Sequence, residues 1–490
     1  MKKFLSMGMA IALALGFASC NNERGNTPDS TDSQLDTYVG VRIAFSGVEG
    51  MRALPDDHNK KFDEWKGRDK IKKITVYLVN ETKQRVDFST FNEGSFEGIQ
   101  DGFLKPTLAV KATEGEKVKA YAVINDVNDL TYDRLKTVDW DDFDAEFKKL
   151  ELTVASIADV ATYNGGKEIV MMTNDKEAAA ITVDKATMKE AIDGTKNRAD
   201  IVVSRVVSRA IMTKAADLKE TIKVKNSNGK EISTITITDI KYAVGQSNLK
   251  FYNMHKADWT TPEPVYSFVP TGTDWSTNNK TYFDYSDLND PQQLQAISYD
   301  KDAVHTALGA EKFSKFVLPV THETGKYKKG NMTYFELTCK FTVDKVYGEN
   351  DAEEAGVADQ NVFLGMSDGK FYKTRALAEA KGQQATEYKA GVMKYVLWLN
   401  PNVAYSDPDK KITESPTVRN QVYHAHINGF KEIGVPNNPL NPDDPNNPDN
   451  PENPIIPNDD PETDKTYLSV SIKVLPWTIH SYSVDVSNRY

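Results

Sequence analysis

Apolar residues recur at every second position in one short stretch after another, and this alternation narrows the possible folds more than any other feature. Val39, Val41, Ile43 and Phe45 are separated by Gly40, Arg42 and Ala44, so an extended segment here has one oily face. Comparable stretches return at 71–79, 118–125, 199–212, 232–245, 332–346, 394–399 and 422–428. Turn signals such as Asn228-Gly229 and Asp368-Gly369 separate them, the glycine accepting the positive φ of a tight hairpin. Helical spacing is sparse. At 139–150, Trp140, Phe143, Phe147 and Leu150 share a face, with acids leading and Lys148-Lys149 closing, as the helix macrodipole favours. Shorter helices are expected at 185–193 and 374–381. Many short strands with few helices predict a mainly β chain built of β-sandwiches. A length of 490 residues suits two of them, with a break near 250–262.

Composition removes several functions. Lys and Arg number 60 against 71 Asp and Glu, a formal charge of -11, and no basic block exists to neutralise phosphates. Nucleic acid is therefore not an expected partner. Two cysteines and seven scattered histidines leave too little for a disulfide scaffold or a zinc module. Lys2 and Lys3 precede an apolar run, 4–19, that fits a signal segment and is short for a bilayer span. It ends in Gly16-Phe17-Ala18-Ser19-Cys20, small residues before a cysteine as in bacterial lipoprotein signals. Acyl chains on Cys20 contribute about 0.8 kcal/mol per buried methylene and would hold the precursor on a membrane. That leaves Cys339 alone, in an alternating segment where a buried strand position is expected.

The two ends of the chain are alike. Beyond a polar tether at 21–36 lies the strand of Val39, Val41, Ile43 and Phe45. Beyond residue 434, prolines fall on every third position from 436 to 457. That spacing predicts a stiff polyproline II rod, its acids adding self-repulsion, with a reach of roughly 80 Å. The rod leads to 466–490, where Leu468, Val470, Ile472 and Val474 alternate with Ser469, Ser471 and Lys473 before Pro476-Trp477. Either end can fill the same open edge of a sandwich. Arg52-Ala53 lies in a loop-like stretch between the leading strand and the body, where a trypsin-like protease could cut. Once cut, the leading strand becomes a separate peptide, and the vacant edge can accept a neighbour's tail by β-augmentation. Trp477 is expected to pack the tail into its acceptor. The residues alone leave open a second arrangement, in which the tail folds back as an ordinary last strand.

Two other stretches invite a chemical reading. Gly365-Met366-Ser367-Asp368-Gly369 matches G-x-S-x-G, but Lys-Phe-Tyr follows where a nucleophile elbow needs a helix, so a hairpin turn is expected. His424 and His426 share one strand face without a recognisable third ligand, and surface exposure is expected for both. No phosphate-cradling glycine loop is present. The reading is therefore of a chain with no catalytic residues, no metal and no cofactor.

The stretches LGFASC (15–20), THETGKYKKGNMTYFEL (321–337), FLGMSDGKFY (363–372), WLNPN (398–402), SPTVRNQVYHAHINGF (415–430) and KTYLSVSIKVLPWTIHSYSV (465–484) resemble the major fimbrilin of the short fimbriae of Porphyromonas-type Bacteroidetes, the type V pilins. The resemblance covers nearly the whole chain. It implies two transthyretin-like β-sandwich domains in tandem, with short helical insertions and a donor-strand tail. Its divisions here are a signal peptide (1–19), a lipidated propeptide with the N-terminal strand (20–52), sandwiches at 53–255 and 256–434, a linker (435–465) and donor strands (466–490). It also implies a lipoprotein precursor on the outer membrane, cleaved after Arg52 by an arginine-specific protease. Polymerisation by donor-strand exchange into a cell-surface fimbrium would follow, serving adhesion and biofilm formation. The implied partners are further copies head to tail, other fimbrial subunits at anchor and tip, and host or bacterial surface receptors. Two alternatives are a monomeric surface lipoprotein that binds glycans or proteins, and a tip or accessory adhesin.

Overall fold

The computed structural model describes residues 36–45, 61–64, 68–100, 103–177, 179–262, 279–310, 313–403, 411–444, 458–461, 472–476 and 478–486. The chain is mainly β. Its first half is organised on a 10-stranded sheet. Along the main path of that sheet lie Arg85–Asn92, Lys73–Asn80, Lys117–Ile124, Met172–Asn174, Arg198–Arg205, the leading strand Thr37–Phe45, Phe103–Pro106 and Phe96–Gln100. Period-two alternation gives the central strands two buried faces. Ile74, Val76 and Leu78, with Ala120, Ala122 and Ile124, point into a core that also holds Val39, Val41, Ile43, Ile201 and Val203. Tyr77 and Tyr121 point the opposite way, where Phe143 and Phe147 of helix Trp140–Lys149 cover them.

In the second half, a 7-stranded sheet built around Ser208–Ala215 and Gln421–Phe430 faces a 5-stranded sheet that includes Glu231–Gly245, Tyr334–Val343 and Val392–Trp398. Met212, Tyr423, Ala425 and Ile427 meet Ile237, Tyr242, Leu337, Cys339 and Tyr395 between them. This is the face-to-face packing of a sandwich. Cys339 is buried there, as its place in the alternation requires, and burial pushes its thiol up.

The two halves share a run of chain. Alternation at 199–212 predicts one strand, but Arg198–Arg205 belongs to the first sheet and Ser208–Ala215 to the second. Val206 and Val207 lie between them, both fully buried. The chain turns over at this point and enters a different sheet. The sheets thus change ahead of the expected 255/256 division, while Lys250–Tyr252 returns to pair with Glu151–Thr153. Buried ionic contacts fasten the joint. Arg209 pairs with Glu168, and Arg205 with Asp69. Arg419 donates from Nε to the Arg205 carbonyl at 3.0 Å and from Nη2 to Thr173 Oγ1 at 2.8 Å. Burial pushes the Arg419 guanidinium down to about 10.

The proline-rich segment does not stand away from the body as a rod in its described parts. Val435 forms a two-way backbone bridge to Lys394. Asn438 is fully buried, its Nδ2 donating to Glu336 Oε2 at 2.7 Å and to Tyr334 Oη at 3.0 Å. Asp444 accepts from Lys394 Nζ at 2.8 Å. At the far end, Asp460 pairs with Lys328 at 2.6 Å, and the Pro461 carbonyl accepts from Trp398 Nε1 at 3.3 Å. Asp444 and Asp460 thus find lysines on the body, and Asn438 finds buried acceptors. Those contacts outweigh the intrinsic preference for a free helix.

Candidate functional site

The leading strand Thr37–Phe45 is an inside member of its sheet. On one side it runs parallel to Arg198–Arg205, with Gly40 opposite Arg198 and Phe45 opposite Val203. On the other it pairs antiparallel with Val110–Ala112 through Val39 and with Phe103–Pro106 through Ile43 and Ala44. Val39 and Ile43 are 0% exposed and Val41 is 5% exposed. Three such aliphatic anchors correspond to about 5–9 kcal/mol gross, comparable to the stability of a whole domain. Phe45 packs half-buried against the same core. At the surface, Arg42 makes a bidentate contact to Asp200, at 2.8 and 3.1 Å.

The site therefore offers two unpaired sheet edges, those of Arg198–Arg205 and Phe103–Pro106, and an apolar trough between them once the leading strand is out. In this chain it holds the leading strand by main-chain hydrogen bonds and period-two apolar side chains. Arg52 and Ala53 follow the strand and lie outside the described residues, as do Cys20, Leu468, Val470 and Trp477. Ile472 and Val474 fall in the strand Ile472–Pro476, whose Pro476 stands opposite Gln421.

The last strand, Thr478–Val486, lies on the chain's own second half. It runs parallel to Gln421–Phe430, with Val422 opposite Ile479 and Phe430 opposite Val486, and Lys61–Glu64 pairs along it. Among the described residues, the leading strand and the strands of the tail thus belong to different sheets.

The histidines differ from expectation. His424 and His426 are 0% and 1% exposed, because Gln421–Phe430 is covered on both faces rather than one. His424 Nε2 and His426 Nδ1 each lie 2.8 Å from Thr213 Oγ1, whose single proton serves one ring while its oxygen accepts from the other. Tyr299 lies over His426 with ring centroids 4.7 Å apart. Burial drives both imidazoles toward the neutral form, His426 down to about 4 and His424 well below its usual value. Ser367 sits in the turn between Val362–Gly365 and Phe371–Tyr372, as the hairpin reading has it. Its carbonyl accepts from Ser227 N at 3.1 Å.

Sequence reasoning missed the contacts made by Thr37 and Gly40. Thr37 Oγ1 lies 2.9 and 3.1 Å from the carbonyl oxygens of Asp184 and Ala186. Gly40 lies under helix Met188–Asp193. A lone glycine inside an alternating strand is a signal for close backbone approach, and it was available in the sequence.

Residues 386–483 match the family described as major fimbrial subunit protein type IV, fimbrillin, C-terminal. Over 512 aligned residues the chain is 31% identical to the minor fimbrium subunit Mfa1 of Porphyromonas gingivalis, covering 96% of this chain and 97% of that one. A second minor fimbrium subunit Mfa1 from the same organism is 30% identical over the same shares. A solved fimbrilin from Porphyromonas gingivalis is 14% identical with a TM-score of 0.40, covering 92% of this chain and 99% of that one. The two Mfa1 relatives are subunits of a fimbrium, and similarity over nearly the whole length of both chains places this chain among fimbrial subunits. The chain belongs to the minor fimbrium subunit family.

Proposed function

We propose that the chain is a shaft subunit, exported as a lipoprotein through Cys20, cut after Arg52 by an arginine-specific protease and polymerised head to tail by strand exchange. One observation carries this reading: the segment ahead of Arg52 contributes an inside strand with three deeply buried anchors. A cut at Arg52 would turn that strand from a tethered competitor, present at an effective concentration of about millimolar or more, into a peptide that can leave. The trough it vacates takes a segment alternating as Leu468, Val470, Ile472 and Val474 do. A contact of this kind joins one molecule's tail to the next molecule's body and does not close, so it generates a filament. Attachment to surface receptors and biofilm formation would then be properties of the fibre.

The test uses chain starting at Ala53. It should form ladders in unheated electrophoresis, and removal of 466–490 should abolish them; equal ladders without the tail would end the proposal. A second reading, a monomeric surface lipoprotein with its tail folded home, has in its favour the pairing of Thr478–Val486 with Gln421–Phe430. It predicts that chain starting at Ala53 runs as a single band.

A further inference from the structure

Helix Met188–Asp193 crosses the leading strand at Gly40. A Cβ at position 40 would overlap the carbonyl oxygen of Ala191 and stand 2.5 Å from its carbonyl carbon and 3.2 Å from Ile192 N. These are main-chain atoms, and the Ala191 carbonyl already accepts from Gly194 N at 3.1 Å to close the helix. No side-chain rotation relieves such an overlap. With the helix in place, position 40 of this seat takes glycine and nothing larger.

The tail has none: residues 466–490 contain no glycine. Whichever of Ser469, Ser471 or Lys473 came to this point, its Cβ would meet the same carbonyl. The strand that leaves is also the strand that pins the helix segment. Thr37 Oγ1 accepts from Ala186 N at 2.7 Å and lies within hydrogen-bond distance of the Asp184 and Ala186 carbonyls. Asn197 Nδ2 donates to the Tyr38 carbonyl at 2.9 Å, and Gly40 N donates to the Asn197 carbonyl at 3.0 Å. Removal of 37–45 therefore strips ties from both flanks of a helix of 6 residues, leaving its own capping box and the Asn197–Asp184 and Val183–Glu116 hydrogen bonds to hold it. A helix this short depends on tertiary support.

We infer that helix Met188–Asp193 is a glycine-reading latch over the exchange site. It retains the chain's own leading strand, refuses a tail while that strand is present, and moves off the seat when a second copy's tail enters. The inference rests on the exchange reading and adds to it the residue that sets its specificity, Gly40, and the element that must give way.

Two experiments test it. The first is hydrogen exchange over 184–197, in the full-length Arg52→Ala chain and in the polymer grown from Ala53. Amides of 187–195 should exchange at least about tenfold faster in the polymer. Unchanged protection, in a polymer whose formation requires 466–490, would overturn the latch and leave strand exchange standing. A polymer that forms without 466–490 would overturn strand exchange and the latch with it. The second places Gly40→Ala in the Arg52→Ala chain. Uncut molecules should then form ladders that disappear on deletion of 466–490; a folded variant that remains monomeric at high concentration would contradict the proposal.

Discussion

The leading strand and the tail, which starts on the same alternation and ends in the strand Thr478–Val486, have different surroundings. Thr37–Phe45 lies inside its sheet, with Val39 and Ile43 fully buried, a helix closed over Gly40 and hydrogen bonds to 184–197. Thr478–Val486 lies toward the outside of the second sheet, between Gln421–Phe430 and the 4-residue strand Lys61–Glu64. Pattern alone makes a segment fit for a sheet edge. The seat, through its glycine contact and its ties, decides which segment it keeps.

The largest expected effect breaks neither strand but the joint both halves share. Arg209→Met leaves Glu168 buried without its partner, a loss of about 3–5 kcal/mol. Urea unfolding should show this in full-length Arg52→Ala chain and in chain starting at Ala53 alike. An effect confined to one of them would mean that the joint is not common to both states.

Next comes Ile43→Ala in the uncut chain. The side chain is fully buried, so about 2–5 kcal/mol should be lost. Limited proteolysis should find the first half opened before the second. A uniform loss across the molecule would erase the distinction drawn between the two strands.

A smaller effect sharpens the picture of the second sheet. His424 and His426 are held neutral by burial, below the ordinary value of 6.5. Below about pH 6.5 the unfolded chain therefore takes up protons that the folded chain refuses. Stability is full above that point and should fall as pH drops, by about 2 kcal/mol for each histidine at pH 5. Replacing both with Gln should flatten the dependence in urea titrations near pH 7 and pH 5; an unchanged slope would assign it to other groups. The smallest effect is at the surface. Arg42→Ala removes a half-exposed ion pair with Asp200, and the uncut chain should lose less than about 1 kcal/mol in the same titration.

Much of this was legible because period-two alternation needs only near neighbours in the chain. The leading strand, the burial of Cys339 and the hairpins at Asn228-Gly229 and Ser367 all follow from local pattern and turn chemistry. The turnover at Val206-Val207 was not legible, since 199–212 reads as one strand and Ile201-Val202-Val203 breaks the alternation without any turn. Nor was the burial of His424 and His426, since a strand does not announce whether its second face is covered. Partners such as Thr213 and Tyr299 lie far away in sequence. At 436–444 and 458–461 the chain lies on the body rather than standing free, for the same reason. The proline spacing states a backbone preference, whereas Glu336, Lys394 and Trp398, which hold the chain down, come from other strands. Arg209 and Glu168 meet only because two sheets meet.

Electron cryo-microscopy of the assembled fibre tests the central claim most directly. Density in the trough between Arg198–Arg205 and Phe103–Pro106 should trace to the tail of the adjacent subunit, with helix Met188–Asp193 moved aside. Fibres in which every tail rests on its parent's Gln421–Phe430 while that trough stands empty would contradict the account.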